Sequence, residues 1–139
     1  MFKKINFQFV LSYFGLFPFL VILLDYFFFK ILGSKIVKDF FILYSLIIFV
    51  FIGAVNWNLK KNISLIIVFI GFMPSLASVL IIVMFLYSYE VVNYLIILFI
   101  IQLILDNFIY KKKNDRPIFY KLRIPLTIII LVCLILIQL

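Results

Sequence analysis

Five apolar runs, each close to the length of a bilayer crossing, occupy most of this 139-residue chain. They cover residues 9–29, 40–57, 63–87, 91–110 and 122–139. A bilayer core takes about 20 apolar residues per helix, so five passes leave no room for a soluble domain. The composition agrees, at 68% hydrophobic and 13% charged. A membrane β-barrel would show alternating segments of about ten residues. These runs are apolar on all sides, and a helix satisfies its own backbone polar groups in lipid. The expected fold is all-α, a single small polytopic bundle of five transmembrane helices over residues 1–139.

The third run contains Pro74 and no charge. It reads as one long helix kinked at the proline. Two half-helices meeting near Gly71 and Pro74, forming a re-entrant pair, are the alternative, and that would put both flanking loops on one side. Five full crossings give a clear charge bias. Ten basic residues flank one face: Lys3, Lys4, Lys60, Lys61, Lys111, Lys112, Lys113, Arg116, Lys121 and Arg123. Three flank the other: Lys30, Lys35 and Lys38. Basic residues in short loops favour the cytoplasmic side, so the N-terminus is expected inside and the C-terminus outside. Met1-Phe2-Lys3-Lys4 before an apolar stretch looks like a signal peptide, but no small-residue cleavage site follows and the run is too long. The first helix is expected to remain as an anchor. The net charge of +8 fits loops lying beside anionic headgroups. It is not a nucleic-acid footprint, since no soluble surface exists to carry one.

A few polar side chains fall inside the runs, and ionisable groups there are functional candidates by default. Asp25 lies near the outer end of the first helix, where an interfacial position explains it. Asp106 lies about one turn inside the fourth helix, with Gln102 and Tyr110 on the same face at four-residue spacing. Arg123 opens the fifth helix at a similar depth, so an Asp106–Arg123 pair is expected to join the two helices. Its energy depends on whether attraction exceeds desolvation. Gly53-Ala54-Val55-Asn56-Trp57-Asn58 closes the second helix at the same face. Gly53 permits close helix approach, and Trp57 suits the interface. Asn56 and Asn58 are either interfacial decoration or donors directed toward Asp106 or Arg123. Gly71, Ser75 and Ser78 form a small-residue face on the third helix, beside Pro74. Pro18 is expected to bend or pack the first. The tyrosines near the helix ends form an aromatic belt rather than a cofactor box.

Several chemistries have no residues to support them. The chain has no histidine and one cysteine, Cys133. Bis-histidine haem, His/Cys zinc sites and an internal disulfide are excluded on that count. No glycine-rich phosphate loop is present. No catalytic residues, cofactor or metal are therefore expected. Asp25 and Asp106 fall near opposite faces and make a poor catalytic pair.

Six short motifs, taken in order, resemble a known pattern. They are Gly15-Leu16-Phe17-Pro18-Phe19, Gly53-Ala54-Val55-Asn56-Trp57, Pro74-Ser75-Leu76, Gln102-Leu103-Ile104-Leu105-Asp106, Tyr120-Lys121-Leu122-Arg123 and Leu126-Thr127. Over nearly its whole length the chain resembles the membrane family called domain of unknown function 3429, which includes transmembrane protein 69. The resemblance implies a bacterial cytoplasmic membrane or a mitochondrial inner membrane, and no reaction. That family often has histidine where this chain has Asn56, so a hydrogen-bonding role transfers to this position and an imidazole role does not.

The leading expectation is a non-catalytic accessory, structural or assembly subunit, packed against lipid and against other integral membrane proteins or copies of itself. The alternative is a small transporter or channel component with a cytoplasmic-side site around Asn56, Gln102, Asp106 and Arg123. A water-reachable cavity beside Asp106 distinguishes the two. A membrane enzyme, which would need polar groups converging on a cleft, ranks third.

Overall fold

The computed structural model describes residues 7–57, 63–111 and 116–138. Five helices in it are long and apolar enough to cross a membrane: α1 (Val10–Phe29), α2 (Ser34–Ala54), α3 (Leu65–Leu86), α4 (Val92–Ile109) and α5 (Arg116–Leu136). Consecutive helices run in opposite directions, as the polar links at their ends show. Tyr13 near the start of α1 donates its hydroxyl to the Lys121 carbonyl near the start of α5. Asn56, just past α2, reaches Asp106 near the end of α4. The other end of the bundle joins Lys38 of α2 to Glu90 before α4, and Gln138 after α5 to Asn93 of α4. Tyr13 and Gln138 therefore lie at opposite ends.

α2 is the central helix and packs against α3, α4 and α5. In its most apolar window 44% of the residues are buried, against 11% for α1. α1 is thus an outer helix, held through Phe19, whose ring lies 5.0 Å from both Phe41 and Tyr44 of α2. Phe49 and Phe99 meet at 5.1 Å between α2 and α4, and Ile130 and Leu134 of α5 are fully buried beside them. Lipid tails are as apolar as these side chains, so the core is held by close packing and hydrogen bonds rather than by exclusion of water. The outward faces are apolar throughout, as with Phe28, Leu65 and Leu80.

α3 is one continuous helix with Pro74 inside it, so the third apolar run is not split into a re-entrant pair. The apolar runs and the helices do not share all their ends. α2 begins at Ser34 rather than at residue 40, because its first turns carry Lys35, Lys38 and Asp39. α5 begins at Arg116 rather than at residue 122, again across a charged turn. A helix keeps satisfying its backbone beyond the point where its side chains stop being apolar.

Proline and helix-end geometry free carbonyls that hydroxyls and charges then occupy. α1 is interrupted at Gly15–Leu16 and resumes at Phe17, with Pro18 in the new first turn. The Gly15 carbonyl accepts the Tyr44 hydroxyl at 2.7 Å. Pro125 has no N–H to return toward Lys121, four residues earlier, and Tyr13 supplies a hydroxyl to that carbonyl instead. α1 ends in a widened turn, Asp25–Phe29, closed by Lys30 in the left-handed conformation (φ 52°). The Asp25 carboxylate is directed back into this turn. It accepts the backbone N–H of Ile31 at 3.1 Å and of Leu32 at 3.0 Å. Asp25 is 8% exposed, so it caps the chain reversal.

Candidate functional site

The polar residues within the spans converge where α2 and α4 end and α5 begins. Three local features make this possible. Gln102 and Asp106 share a face of α4, and both are buried there. The last turn of α2 tightens, with Asn56 N–H donating to Gly53 and Trp57 N–H to Ala54. Tightening takes Asn56 out of the ordinary four-residue ladder, so the Ile52 carbonyl loses its usual partner. α5 is widened over Phe119–Arg123, and Arg123 in it is 5% exposed.

Asp106 is at the centre, 1% exposed. Its Oδ1 accepts Gln102 Nε2 at 2.9 Å and Asn56 Nδ2 at 3.2 Å. Its Oδ2 faces Arg123 Nε at 3.6 Å, an ion pair longer than a hydrogen bond. Arg123 Nη2 donates to the Ile52 carbonyl and to the Tyr110 hydroxyl, each at 3.2 Å. The Tyr110 hydroxyl in turn donates to Asn56 Oδ1 at 3.1 Å, and its ring lies 5.7 Å from the guanidinium carbon. The result is a closed ring of contacts, Asp106–Asn56–Tyr110–Arg123–Asp106, with Gln102 bracing it. Among the described residues Arg123 Nε has no hydrogen-bond partner. The two charges cancel, and both lie in a medium that would penalise either one alone.

Trp57 belongs elsewhere. Its indole N–H donates to the Val68 carbonyl of α3 at 3.1 Å, and its ring stacks on Phe72. Gly71 makes room for it. A Cβ at Gly71 would lie 2.5 Å from Trp57 Nε1, and one at Gly53 would lie 2.6 Å from the Gly71 carbonyl and 2.7 Å from Pro74 Cγ. Gly53, Gly71, Pro74 and Trp57 thus form the α2–α3 crossing, next to the charged cluster but distinct from it. Ser78 is buried on the same face of α3, while Ser75 lies half-buried at its edge. Pro18 stays with the α1 interruption. Asn58 lies outside the described residues.

Sequence reasoning did not foresee the Ile52 carbonyl, because a backbone acceptor leaves no mark in the side-chain pattern. Nor did it foresee Arg116, which donates to Asn107 at 3.0 Å, although the proximity of α5's start to α4's end was a usable signal. In the cluster the Asp106 carboxylate is held from both sides, Oδ1 by two amide donors and Oδ2 by the Arg123 guanidinium. Among the described residues no group of three His, Cys, Asp or Glu side chains is placed to hold a metal. What the arrangement does is join α2, α4 and α5 at one level.

No curated protein and no solved structure matches the chain. One family does, that described as "Protein of unknown function (DUF3429)", over residues 6–139. Of the short motifs of the sequence analysis, those around Asn56, Asp106 and Arg123 meet in the charged ring, the one around Pro74 lies at the α2–α3 crossing beside it, and Gly15–Phe19 packs farther along α2, against Tyr44 and Phe41. By a match that runs through nearly all of its length, the chain belongs to the DUF3429 family.

Proposed function

We propose that this protein is a non-catalytic structural or assembly subunit of a larger membrane complex, resident in a bacterial cytoplasmic membrane or a mitochondrial inner membrane. The observation that carries this reading is the burial of Asp106, 1% exposed with each oxygen engaged. A carboxylate sequestered this way, with Oδ1 accepting two hydrogen bonds and Oδ2 facing the Arg123 guanidinium, is suited to fixing helices rather than to meeting a water-borne ligand. Such packing weighs against the transporter reading, which needs water to reach the same groups. The broad apolar face of α1, with little of it buried, is the natural side for a partner helix or lipid. Ten basic residues flank the end of the bundle that holds the Asp106–Arg123 ring, the clamp end, in the threading and three the other. That bias supports a cytoplasmic N-terminus and an outward C-terminus.

Extraction from native membrane in a mild detergent, followed by crosslinking and size analysis, tests the proposal. The protein is expected to migrate with partner polypeptides, or as its own oligomer, well above its 16.5 kDa mass. Recovery as a lone monomer across several mild detergents and native lipid discs would overturn it. Cysteines introduced near Gln102 that react with water-soluble reagents in the folded protein would favour the transporter instead.

A further inference from the structure

At the end of the bundle away from the clamp, the three lysines Lys30, Lys35 and Lys38 all border one pair of adjoining cavities. The larger, about 410 Å³, includes Lys30 and Leu32 in its lining. The smaller, about 240 Å³, includes Lys35, Lys38 and Ile137. Tyr26 and Ser34 line both, which makes them one cleft. No acidic side chain lines either. The nearby Asp25 carboxylate is turned into its own backbone turn. Lys38 is tied to Glu90 at 3.0 Å, but among the described residues neither Lys30 nor Lys35 has a carboxylate within ion-pair distance.

The cleft also opens onto the start of α2. Gly33 precedes it in an extended conformation, no side chain caps it, and its first turn holds no acid. The first-turn amides of a 21-residue helix are thus left to whatever occupies the cleft. Lys35 also borders a further cavity with Asp39 and Glu90, but two lysines with no ion-pair partner among the described residues, two hydroxyls and these amides together favour a phosphate. The surroundings decide its source. Phe28, Phe29 and Ile31, at the same level, are 76%, 68% and 81% exposed. Phe27 and Leu32 line the cleft itself, and these three neighbours continue its apolar side outward; a soluble phosphate has no use for such a border, whereas a phospholipid presents both a phosphate and acyl chains. The three lysines also run against the charge bias of the bundle, and an anionic ligand gives them a reason to be there.

We propose that this cleft is a binding site for the phosphate of an anionic phospholipid headgroup. Lys30 and Lys35 supply the counter-charge, Tyr26, Ser34 and the first amides of α2 donate, and the lipid's chains lie along Phe28, Phe29 and Ile31. The site does not depend on the subunit reading above, because it lies at the other end of the bundle.

Binding of phosphatidylglycerol and of phosphatidylcholine is measured by native mass spectrometry, titrating each lipid into the purified full chain in detergent. The K30Q/K35Q variant is compared with K111Q/K121Q, which removes the same charge at the clamp end. Lys30 and Lys35 are exposed, and circular dichroism confirms that both variants fold. Each lysine near an anionic headgroup adds enough for two to change affinity about 30-fold. Phosphatidylglycerol is expected to bind wild type well above phosphatidylcholine, to lose about 30-fold in K30Q/K35Q, and to be unaffected by K111Q/K121Q. Equal loss in both variants, or equal affinity for the two lipids, would overturn the site. Displacement of phosphatidylglycerol by millimolar inorganic phosphate would overturn the lipid source in favour of a soluble phosphate ligand.

Discussion

Replacing Asp106 with Asn removes one charge from the clamp and almost none of its shape. The amide oxygen can remain where Oδ1 accepts Gln102 and Asn56, but the amide N–H₂ then faces Arg123 Nε, donor against donor. Flipping the amide only moves the conflict to Gln102 and Asn56. In either case a guanidinium 5% exposed loses its counter-ion. An exposed pair would cost about 0.2–1 kcal/mol to break, whereas a buried pair broken on one side costs about 3–5 kcal/mol. Arg123 keeps the Ile52 carbonyl and the Tyr110 hydroxyl, which places the loss near the lower figure, about 3 kcal/mol. Arg123→Gln in the same background removes the stranded charge, so D106N/R123Q should recover about 2 kcal/mol of that loss. Unfolding by sodium dodecyl sulfate in mixed micelles, followed by Trp57 fluorescence and circular dichroism, measures all four proteins. Trp57 is the only tryptophan and lies on the α2–α3 crossing, so it reports global loss of structure. If D106N falls within 1 kcal/mol of wild type, or the double variant loses the sum of the two singles, the clamp does not stabilise the bundle as argued.

Two further substitutions probe the remaining tight places. Gly53→Ala puts a methyl 2.6 Å from a backbone carbonyl that cannot rotate away, so α2 and α3 must separate. A cost of about 1–3 kcal/mol should outweigh the alanine's gain in helix propensity of about 1 kcal/mol. Gly71→Ala meets mainly the Trp57 side chain, so it should cost less but release the indole from Val68, seen as a shift in Trp57 emission; the reverse order of stability would contradict the crossing described. Asp25→Ala strands the N–H groups of Ile31 and Leu32, at a cost of about 1–3 kcal/mol each where water does not replace the partner. Faster hydrogen exchange confined to residues 30–33 is the expected signature, and unchanged exchange there would remove Asp25 as the cap.

How much of this was legible follows from which physical signals reach the side-chain pattern. The five crossings were, since lipid demands long uninterrupted apolar stretches. The ends of α2 and α5 were not, because a helix that leaves the hydrocarbon continues with charged residues such as Lys35, Asp39 and Arg116. The pairing of Gln102 with Asp106 was visible as a four-residue step, and Arg123 entered through the threading. The part played by Tyr110 needs the phenol to bridge Asn56 and Arg123, and spacing alone gives no hint of that. Trp57 follows Asn56 directly, yet the two side chains serve different contacts. Adjacent residues at a helix end point in different directions, and Gly71 opposite leaves a gap that only the indole fills.

The strength of the bundle is unevenly distributed along its axis. At one end, α2, α4 and α5 are tied by a buried charge pair and four hydrogen bonds, Asn56 to Asp106, Tyr110 to Asn56, and Arg123 to both the Tyr110 hydroxyl and the Ile52 carbonyl. At the other, the polar side-chain links among the described residues are Lys38–Glu90, with the two side chains 37% and 79% exposed, and an exposed amide contact between Asn93 and Gln138. Exposed pairs contribute about 0–1 kcal/mol, buried ones several times more when broken. The weaker end is also the one with the lysine-lined cleft. An anion held by Lys30, just after α1, and Lys35, in the first turn of α2, would connect two helices that, among the described residues, no side-chain ion pair joins there. A buried protein network fastens the clamp end, and in this arrangement a lipid headgroup reinforces the exposed links of the opposite end.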